Sequence, residues 1–501
     1  MDIAARVMSV VGRTSSSDTP PPSASNQPTR IGKVMDVSDG AFIGGFIPSL
    51  VDKQRYPYSR PEFLYFTEEE IALSSDHSVR PVLCPRFPHR MPLYVGYAEA
   101  INAGKTVQNE DQASAKMLVL TQQGADSNGG GSRRASSNGV APEVDDDPML
   151  TPGTDDSDKL TLFAPRADAA FFSLFDGHAG SAVAVVASKC LHEHVPEDDD
   201  NRIRSEHLVK GALETAFLEM DEQIAEDKQV WRLPGGCAVI SVLVLLGKLY
   251  VANAGDCRAI LVTSDGTKPL SRDLNPGSER KRLQELAYRN PELIGNSFSR
   301  LEYSKRLTRS DLKSRVLYRD WFMDGWAVKT VKETDLRPPL ISETSRKRRL
   351  LNTIGVSRGF GDHHLLTVDE RISIKPFLSA VPEVSVTNLR DMNSLTDRDV
   401  VIVASDGLWD VLSNEDAGLI VRSTLGSTDS SDHSRYTQAA QDLVAAARGQ
   451  QASGNLKRWA MNTGGHASYD DITVFVIPLK HCAAPPTNLE EEEDDDMLSL
   501  E

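Results

Sequence analysis

Four short apolar runs in this chain each adjoin an aspartate, and that arrangement limits the folds open to it. Phe171–Phe175 runs into Asp176, Val400–Ala404 leads through Ser405 to Asp406, and Ile472–Ile477 begins just after Asp470. Asp256 follows a run that ends near Asn253. Short runs rich in β-branched side chains predict strands. Val239–Leu246 and Leu249–Asn253, joined at Gly247-Lys248, predict a β-hairpin. Apolar spacing and helix propensity predict helices over Ala179–Val195, Glu206–Asp227, Asn414–Leu425 and Tyr436–Arg448. Hairpin-linked strands among long helices imply an α+β chain with antiparallel sheets covered by helices.

Strand ends are rigid platforms, and loops that leave them converge on one cleft. Gly177, Gly255 and Gly407 adjoin three of the aspartates. Glycine permits tight turns and lets an ion approach a carbonyl closely. Hard cations such as Mg²⁺ and Mn²⁺ take oxygen ligands, so a centre built from several aspartates is chemically sensible. Asp-Gly is also an ordinary turn pair, and the chemistry alone leaves both readings open.

Composition narrows the function classes. The net charge of −17 over 501 residues argues against a general nucleic-acid binder. Five cysteines without a C-x-x-C pair suggest neither a zinc site nor a disulfide framework, and predict a reduced, cytoplasmic protein. No secretory signal is evident, and no apolar run reaches the length of a membrane span. Residues 1–30 read as a flexible segment whose first part, Met1–Val11, has the spacing of an amphipathic helix able to touch an internal membrane surface. Residues 121–159 read as a disordered insertion, and 482–501 as an acidic tail that includes Glu490–Asp496. The remaining stretches, 31–120 and 160–481, read as a single domain.

The local strings carry more information. Phe-Asp-Gly-His-Ala-Gly at 175–180, Asn-Ala-Gly-Asp-Cys-Arg-Ala at 253–259, Gly-Val-Ser-Arg-Gly-Phe-Gly-Asp at 355–362, Ala-Ser-Asp-Gly-Leu-Trp-Asp at 404–410 and Asp-Asp-Ile-Thr-Val at 470–474 occur in order. Asn-Glu-Asp at 109–111 precedes them. Together they resemble the signature strings of the PPM (type 2C) metal-dependent serine/threonine protein phosphatases. Arg60-Pro-Glu-Phe-Leu, Gly96-Tyr-Ala-Glu, Asn102-Ala-Gly-Lys and Leu317-Tyr-Arg-Asp are similar in style to the branch with the H, J and M members.

The resemblance implies two central antiparallel sheets packed face to face and flanked by helices. It implies a binuclear Mg²⁺ or Mn²⁺ centre on Asp176, Asp406 and Asp470, with the Gly177 carbonyl as a further ligand and Glu110 and Asp111 at the edge. Such a pair of ions holds a bridging hydroxide for attack on phosphorus. A third ion would use Asp256 and Asp410 with Asp406. His178 would protonate the departing Ser or Thr oxygen, a role its ordinary pKa of about 6.5 suits. Lys105 stands where many members carry a phosphate-gripping arginine, and a lysine fixes the phosphate less rigidly. Cys237 and Asp471 are further departures, where a hydroxyl residue and Asn are common. Asp362, Arg258 and Arg358 read as structural.

The stretch between Asp256 and Asp362 is long for the family. Residues 277–349 are expected to form a substrate-selecting flap, and Glu279–Arg349 holds 18 Lys or Arg against 10 Asp or Glu. Its aromatic residues Tyr318, Trp321, Phe322 and Trp326, with Leu317, would either anchor a partner or pack the flap's own core. Phosphorylated proteins are the expected partners, with Rab-class small GTPases suggested by the branch. A non-catalytic binding module of the same fold is the alternative, but such a module would have lost metal-site aspartates that are all present here. Arg133-Arg134-Ala135-Ser136 resembles a basic-directed kinase site.

Overall fold

The computed structural model describes residues 58–121, 166–195, 205–231, 235–343, 347–368, 371–392, 394–451 and 459–483. All fall within one compact unit, 47–501. The N-terminal segment with its amphipathic stretch, nearly all of the 121–159 insertion with Ser136, and the acidic run 490–496 lie outside the described residues.

Two antiparallel sheets form the centre. In the first, the strands run Gly96–Ala100, Ile472–Pro478, Val400–Ala404, Arg258–Thr263, Gly266–Pro269. In the second they run Glu383–Asn388, Lys248–Ala254, Gly236–Leu245, Arg166–His178, Gln112–Thr121, with Phe360–Gly361 pairing at the end of Gly236–Leu245. Strand alternation sends Phe475, Ile477, Val401 and Val403 inward to meet Phe172, Leu174, Ile240 and Val242 of the opposite sheet in one core. The rings of Phe172 and Phe475 meet across that interface with centroids 6.0 Å apart.

The outward faces are apolar as well, which is why the runs show no polar alternation. Ile402, Val474 and Val476 pack against Leu425, Tyr436, Leu443 and Val444 of the helices Asn414–Ser427 and Arg435–Arg448. Phe171, Phe175, Val239 and Leu243 pack against Val183, Val186, Leu213 and Phe217 of Ala182–Cys190 and Glu206–Trp231. The result is helices, sheet, sheet, helices, the α+β sandwich that the sequence strings imply.

Local differences from the expected elements have local causes. The hairpin turn is Leu246-Gly247, one residue earlier than Gly247-Lys248, and both residues have positive φ (50° and 74°), as a two-residue hairpin turn demands. The helix expected from Ala179 starts at Ala182, because Ala179 (φ 56°) and Gly180 (φ 121°) are not helical. Ser413 caps the helix that begins at Asn414 by accepting from the Asp416 amide.

The 277–349 stretch holds a helix, Arg280–Arg289, a three-stranded sheet of Glu302–Tyr303, Arg315–Arg319 and Ala327–Thr330, and a ribbon that pairs Ile341–Glu343 with Arg348–Leu350. Leu283, Ala287, Phe298, Leu340 and Leu350 are continuous with the core between the two sheets. The aromatics are not that core. Phe322 and Trp326 are 65% and 42% exposed, and Trp326 carries the Arg319 guanidinium on its face. Many of the basic residues are paired within the stretch: Arg300 with Asp320 at 2.8 Å, Arg319 with Glu302 at 2.6 Å, Lys329 with Asp335 at 2.8 Å. These pairs neutralise part of the positive charge, and the excess of 18 Lys or Arg over 10 Asp or Glu in Glu279–Arg349 remains.

Candidate metal centre

Loops from both sheets meet at one end of the sandwich. Asp176 and Gly177 end a strand of the second sheet, and Glu110 and Asp111 precede the neighbouring strand. Asp406 opens a one-turn helix, Asp406–Trp409, directly after Val400–Ala404 of the first sheet. Asp470 precedes Ile472–Pro478 in that same sheet, and Asp256 lies in the link that carries the chain from one sheet to the other. Asp176, Asp256 and Asp406 each present a carboxylate oxygen within 4.8 Å of the others. Glycine makes this convergence possible. A Cβ on Gly177 would run into the Glu110 carbonyl, and one on Gly407 into the Asp471 carbonyl.

Buried polar contacts hold the loops in place. The Asp111 carboxylate accepts from the Ser405 hydroxyl at 2.8 Å and the Thr473 hydroxyl at 2.7 Å, which ties the second sheet's acidic motif to the first sheet. Glu110 accepts from the Gly180 amide at 2.6 Å. Asp471 accepts from the amides of Asn102 (2.8 Å) and Glu110 (3.1 Å). Arg80 donates to the main-chain carbonyls of Ile101 (2.6 Å), Ser468 (2.7 Å) and Asp470 (3.0 Å). The buried guanidinium of Arg60 binds Glu99 and donates to the Asp111 carbonyl at 2.7 Å.

Burial and mutual repulsion disfavour the ionised form of these carboxylates. Burial raises the pKa of Asp176 well above the carboxylate range, and the nearby Asp406, Asp111, Asp256 and Asp470 raise it further. Burial, then Asp406, pushes Asp256 up to about 7. Burial also raises Asp111 strongly, with Asp471 adding to the effect. These carboxylates crowd one another, and a cation between them relieves both burial and repulsion. The donor set is oxygen throughout, with no thiolate, so it fits a hard divalent cation.

Two lysines meet this charge. The Lys105 ammonium sits 2.6 Å from Asp470, so the residue expected at the substrate phosphate covers a candidate ligand. Burial alone would lower its pKa, but Asp470, Asp176 and Asp406 outweigh that and raise it. Lys347 lies 2.6 Å from Asp406 and 2.9 Å from Asp410. The group of three carboxylates contains Asp256 and not Asp470, which pairs with Lys105. Asp410 stands at the outer edge, 45% exposed.

His178 ends the strand that carries Asp176, and its Nε2 lies 2.6 Å from Asp362. Asp362 is buried and has φ of 55°, and the preceding Gly361 amide donates to Asp221 at 2.9 Å. Asp362 therefore contacts the expected proton donor, beyond the purely structural role read from its motif. Arg258 and Arg358 do form ion pairs, with Asp273 and Glu279, each at 2.6 Å. Sequence reading gave Lys347 and Arg80 no role at the site, and it singled out Arg60 and Asn102 only as the starts of branch strings. Lys347 falls in the basic run Arg346-Lys347-Arg348-Arg349, where charge was the visible signal and direction was not. Asp471 was visible only as a departure.

The family described as protein phosphatase 2C matches residues 153–318 and 339–456. Protein phosphatase 1H of Homo sapiens is 39% identical, over 90% of this chain and 97% of that protein. Protein phosphatase 1J of Homo sapiens is 37% identical, over 87% of this chain and 88% of its own length. Protein phosphatase 1M of Homo sapiens is 38% identical, over 84% and 92%. With a family match over more than half its length and relatives of that similarity, the chain belongs to the protein phosphatase 2C family and is a metal-dependent serine/threonine protein phosphatase.

Proposed function

We propose that this phosphatase acts on phosphoserine and phosphothreonine of folded proteins, with Mg²⁺ or Mn²⁺ held by its carboxylate cluster. The observation that carries the reading is the convergence of Asp176, Asp256 and Asp406, from three distant segments, within 4.8 Å. Asp176, the Gly177 carbonyl, Asp406 and Asp470 would hold two ions, with Glu110 and Asp111 beside them. Asp256, Asp406 and Asp410 would hold a third. Bound there, the ions supply charge for the phosphoryl oxygens and a water nucleophile near neutral pH.

The chain's own residues do the rest. Asp362 holds the His178 ring through Nε2, and in the doubly protonated ring the Nδ1–H would donate to the departing Ser or Thr oxygen and leave the neutral imidazole. Lys105, released from Asp470 when that carboxylate is ligated, would meet the substrate phosphate as a point charge. The exposed Phe322 and Trp326 of the 277–349 stretch offer apolar contacts to a protein substrate. The branch resemblance supports phosphorylated small GTPases of the Rab class as substrates and a regulatory role in signalling. The cysteine pattern supports a cytoplasmic site of action, with the spacing of Met1–Val11 supporting contact with an internal membrane surface.

The test is an assay on a phosphothreonine peptide, a phosphorylated small GTPase and a small aryl phosphate, each with Mg²⁺, with Mn²⁺ and with chelator. The reading expects metal-dependent turnover of all three, with preference among protein substrates lost when 277–349 is exchanged for a shorter flap. Turnover that survives the chelator, or an unchanged preference after the exchange, would remove the corresponding part of the proposal.

A further inference from the structure

Lys347 is not an ordinary surface lysine. It immediately precedes the strand Arg348–Leu350, which pairs with Ile341–Glu343, and Leu350 at the end of that ribbon is fully buried. Arg348 pairs with Glu343 across the ribbon at 2.8 Å. The ribbon therefore aims the Lys347 side chain, and its ammonium bridges two carboxylates, Asp406 at 2.6 Å and Asp410 at 2.9 Å. Asp406 is at the same time a member of the Asp176, Asp256, Asp406 group. One carboxylate is thus shared between a lysine delivered by the insertion and a cluster suited to a divalent cation.

Two cations drawn to the same few oxygens repel each other strongly across so short a distance. We infer that Lys347 is a built-in counter-ion for the outer cation position formed by Asp256, Asp406 and Asp410, so that the seated ribbon and a divalent ion exclude one another there. The inference rests on the proposed metal centre and adds a regulator to it. When the outer ion binds, Lys347 must leave Asp406 and Asp410. Conversely, a protein substrate that shifts the ribbon uncovers those carboxylates and favours the outer ion. Substrate docking on the insertion and occupancy of the weakest metal position then become linked, each promoting the other.

The experiment is calorimetric titration of the full chain with Mn²⁺, starting from metal-free protein, for the unchanged chain, Lys347→Met and Lys347→Arg. The Met substitution removes the competing charge and keeps much of the bulk, whereas Arg retains the charge. Because the lysine is partly exposed, its loss should tighten the weak class of Mn²⁺ sites by about fivefold and leave the tight class unchanged. Lys347→Arg should stay near the unchanged chain. Thermal melts provide a second readout. In chelator, Lys347→Met should melt lower, since Asp406 and Asp410 lose their counter-ion, and its gain on adding Mn²⁺ should be larger. A weak class that is unchanged or weakened in Lys347→Met, with the tight class intact, overturns the inference and spares the metal centre. An unchanged chain that binds no Mn²⁺ overturns both.

Discussion

Replacing Arg60 by Met tests how the acidic motif is held. Arg60 is 4% exposed and Glu99 fully buried, and the guanidinium engages Glu99 through Nε and Nη2. Tyr97 adds its hydroxyl to the same carboxylate. Removing the arginine leaves a buried carboxylate without its counter-charge, which costs about 3–5 kcal/mol. It also strips a donor from the Asp111 carbonyl, worth about 1–3 kcal/mol, although losses within one network do not add fully. A net loss of about 4 kcal/mol is expected, against a usual total of about 5–15 kcal/mol. Urea unfolding of metal-free protein should therefore show a large fall in midpoint with little change in slope. Adding Glu99→Gln, which neutralises the orphaned charge yet still accepts from Tyr97, should recover at least half of the loss. A fall below about 1 kcal/mol for Arg60→Met, or no recovery in the double variant, would refute the reasoning.

Three further outcomes are expected. His178→Ala should slow phosphothreonine-peptide hydrolysis by about 10²–10⁴-fold but barely affect a nitrophenyl phosphate, whose leaving group needs no proton; equal losses on both substrates would exclude proton donation by His178. Asp256→Ala should keep the two inner ions, lose the outer one and slow turnover, so phosphorylated substrate stays bound longer in a pull-down; loss of every ion by metal counting would show that Asp256 serves the inner pair. Burial alone would raise the pKa of Glu279, but Arg358 and Arg282 outweigh it and hold that carboxylate at about 2, below its ordinary 4.5. Its stabilisation is thus present above about pH 4.5 and lost as pH falls toward 2, so Glu279→Gln should flatten that acid limb by about 2 kcal/mol in pH-dependent unfolding, and an unaltered limb would contradict the assignment.

The strands nearest the site were legible because they are buried on both faces. Val400–Ala404 and Ile472–Ile477 read as continuous apolar runs, and the helix Arg435–Arg448 showed its stripe through Tyr436, Ala440, Leu443 and Ala447. Strand order was not legible. Nothing local says that Ile472–Pro478 lies between Gly96–Ala100 and Val400–Ala404, because both of its faces are apolar and its neighbours lie far away in sequence. The aspartates could be found from their positions after strands, and the signature strings made them specific. Their supports could not. Arg60, Arg80 and Lys347 act on main-chain carbonyls or carboxylates brought close only by folding, as with Lys347 and Asp406, which are 59 positions apart. The turn at Leu246-Gly247 and the delayed helix start at Ala182 depend on backbone angles that composition does not reveal.

The central claim is that the aspartate cluster is a catalytic cation centre, and Asp406→Ala addresses it most directly. Asp406 belongs to the three-carboxylate group, and its amide lies 3.3 Å from Asp176. The measurement is Mn²⁺-dependent dephosphorylation of a phosphothreonine peptide, run beside a thermal melt of the same preparations. The account predicts that chelator silences the unchanged chain and that Asp406→Ala stays at background at every Mn²⁺ concentration, while its melt in chelator remains close to that of the unchanged chain. A folded Asp406→Ala protein with normal Mn²⁺-dependent turnover would contradict it.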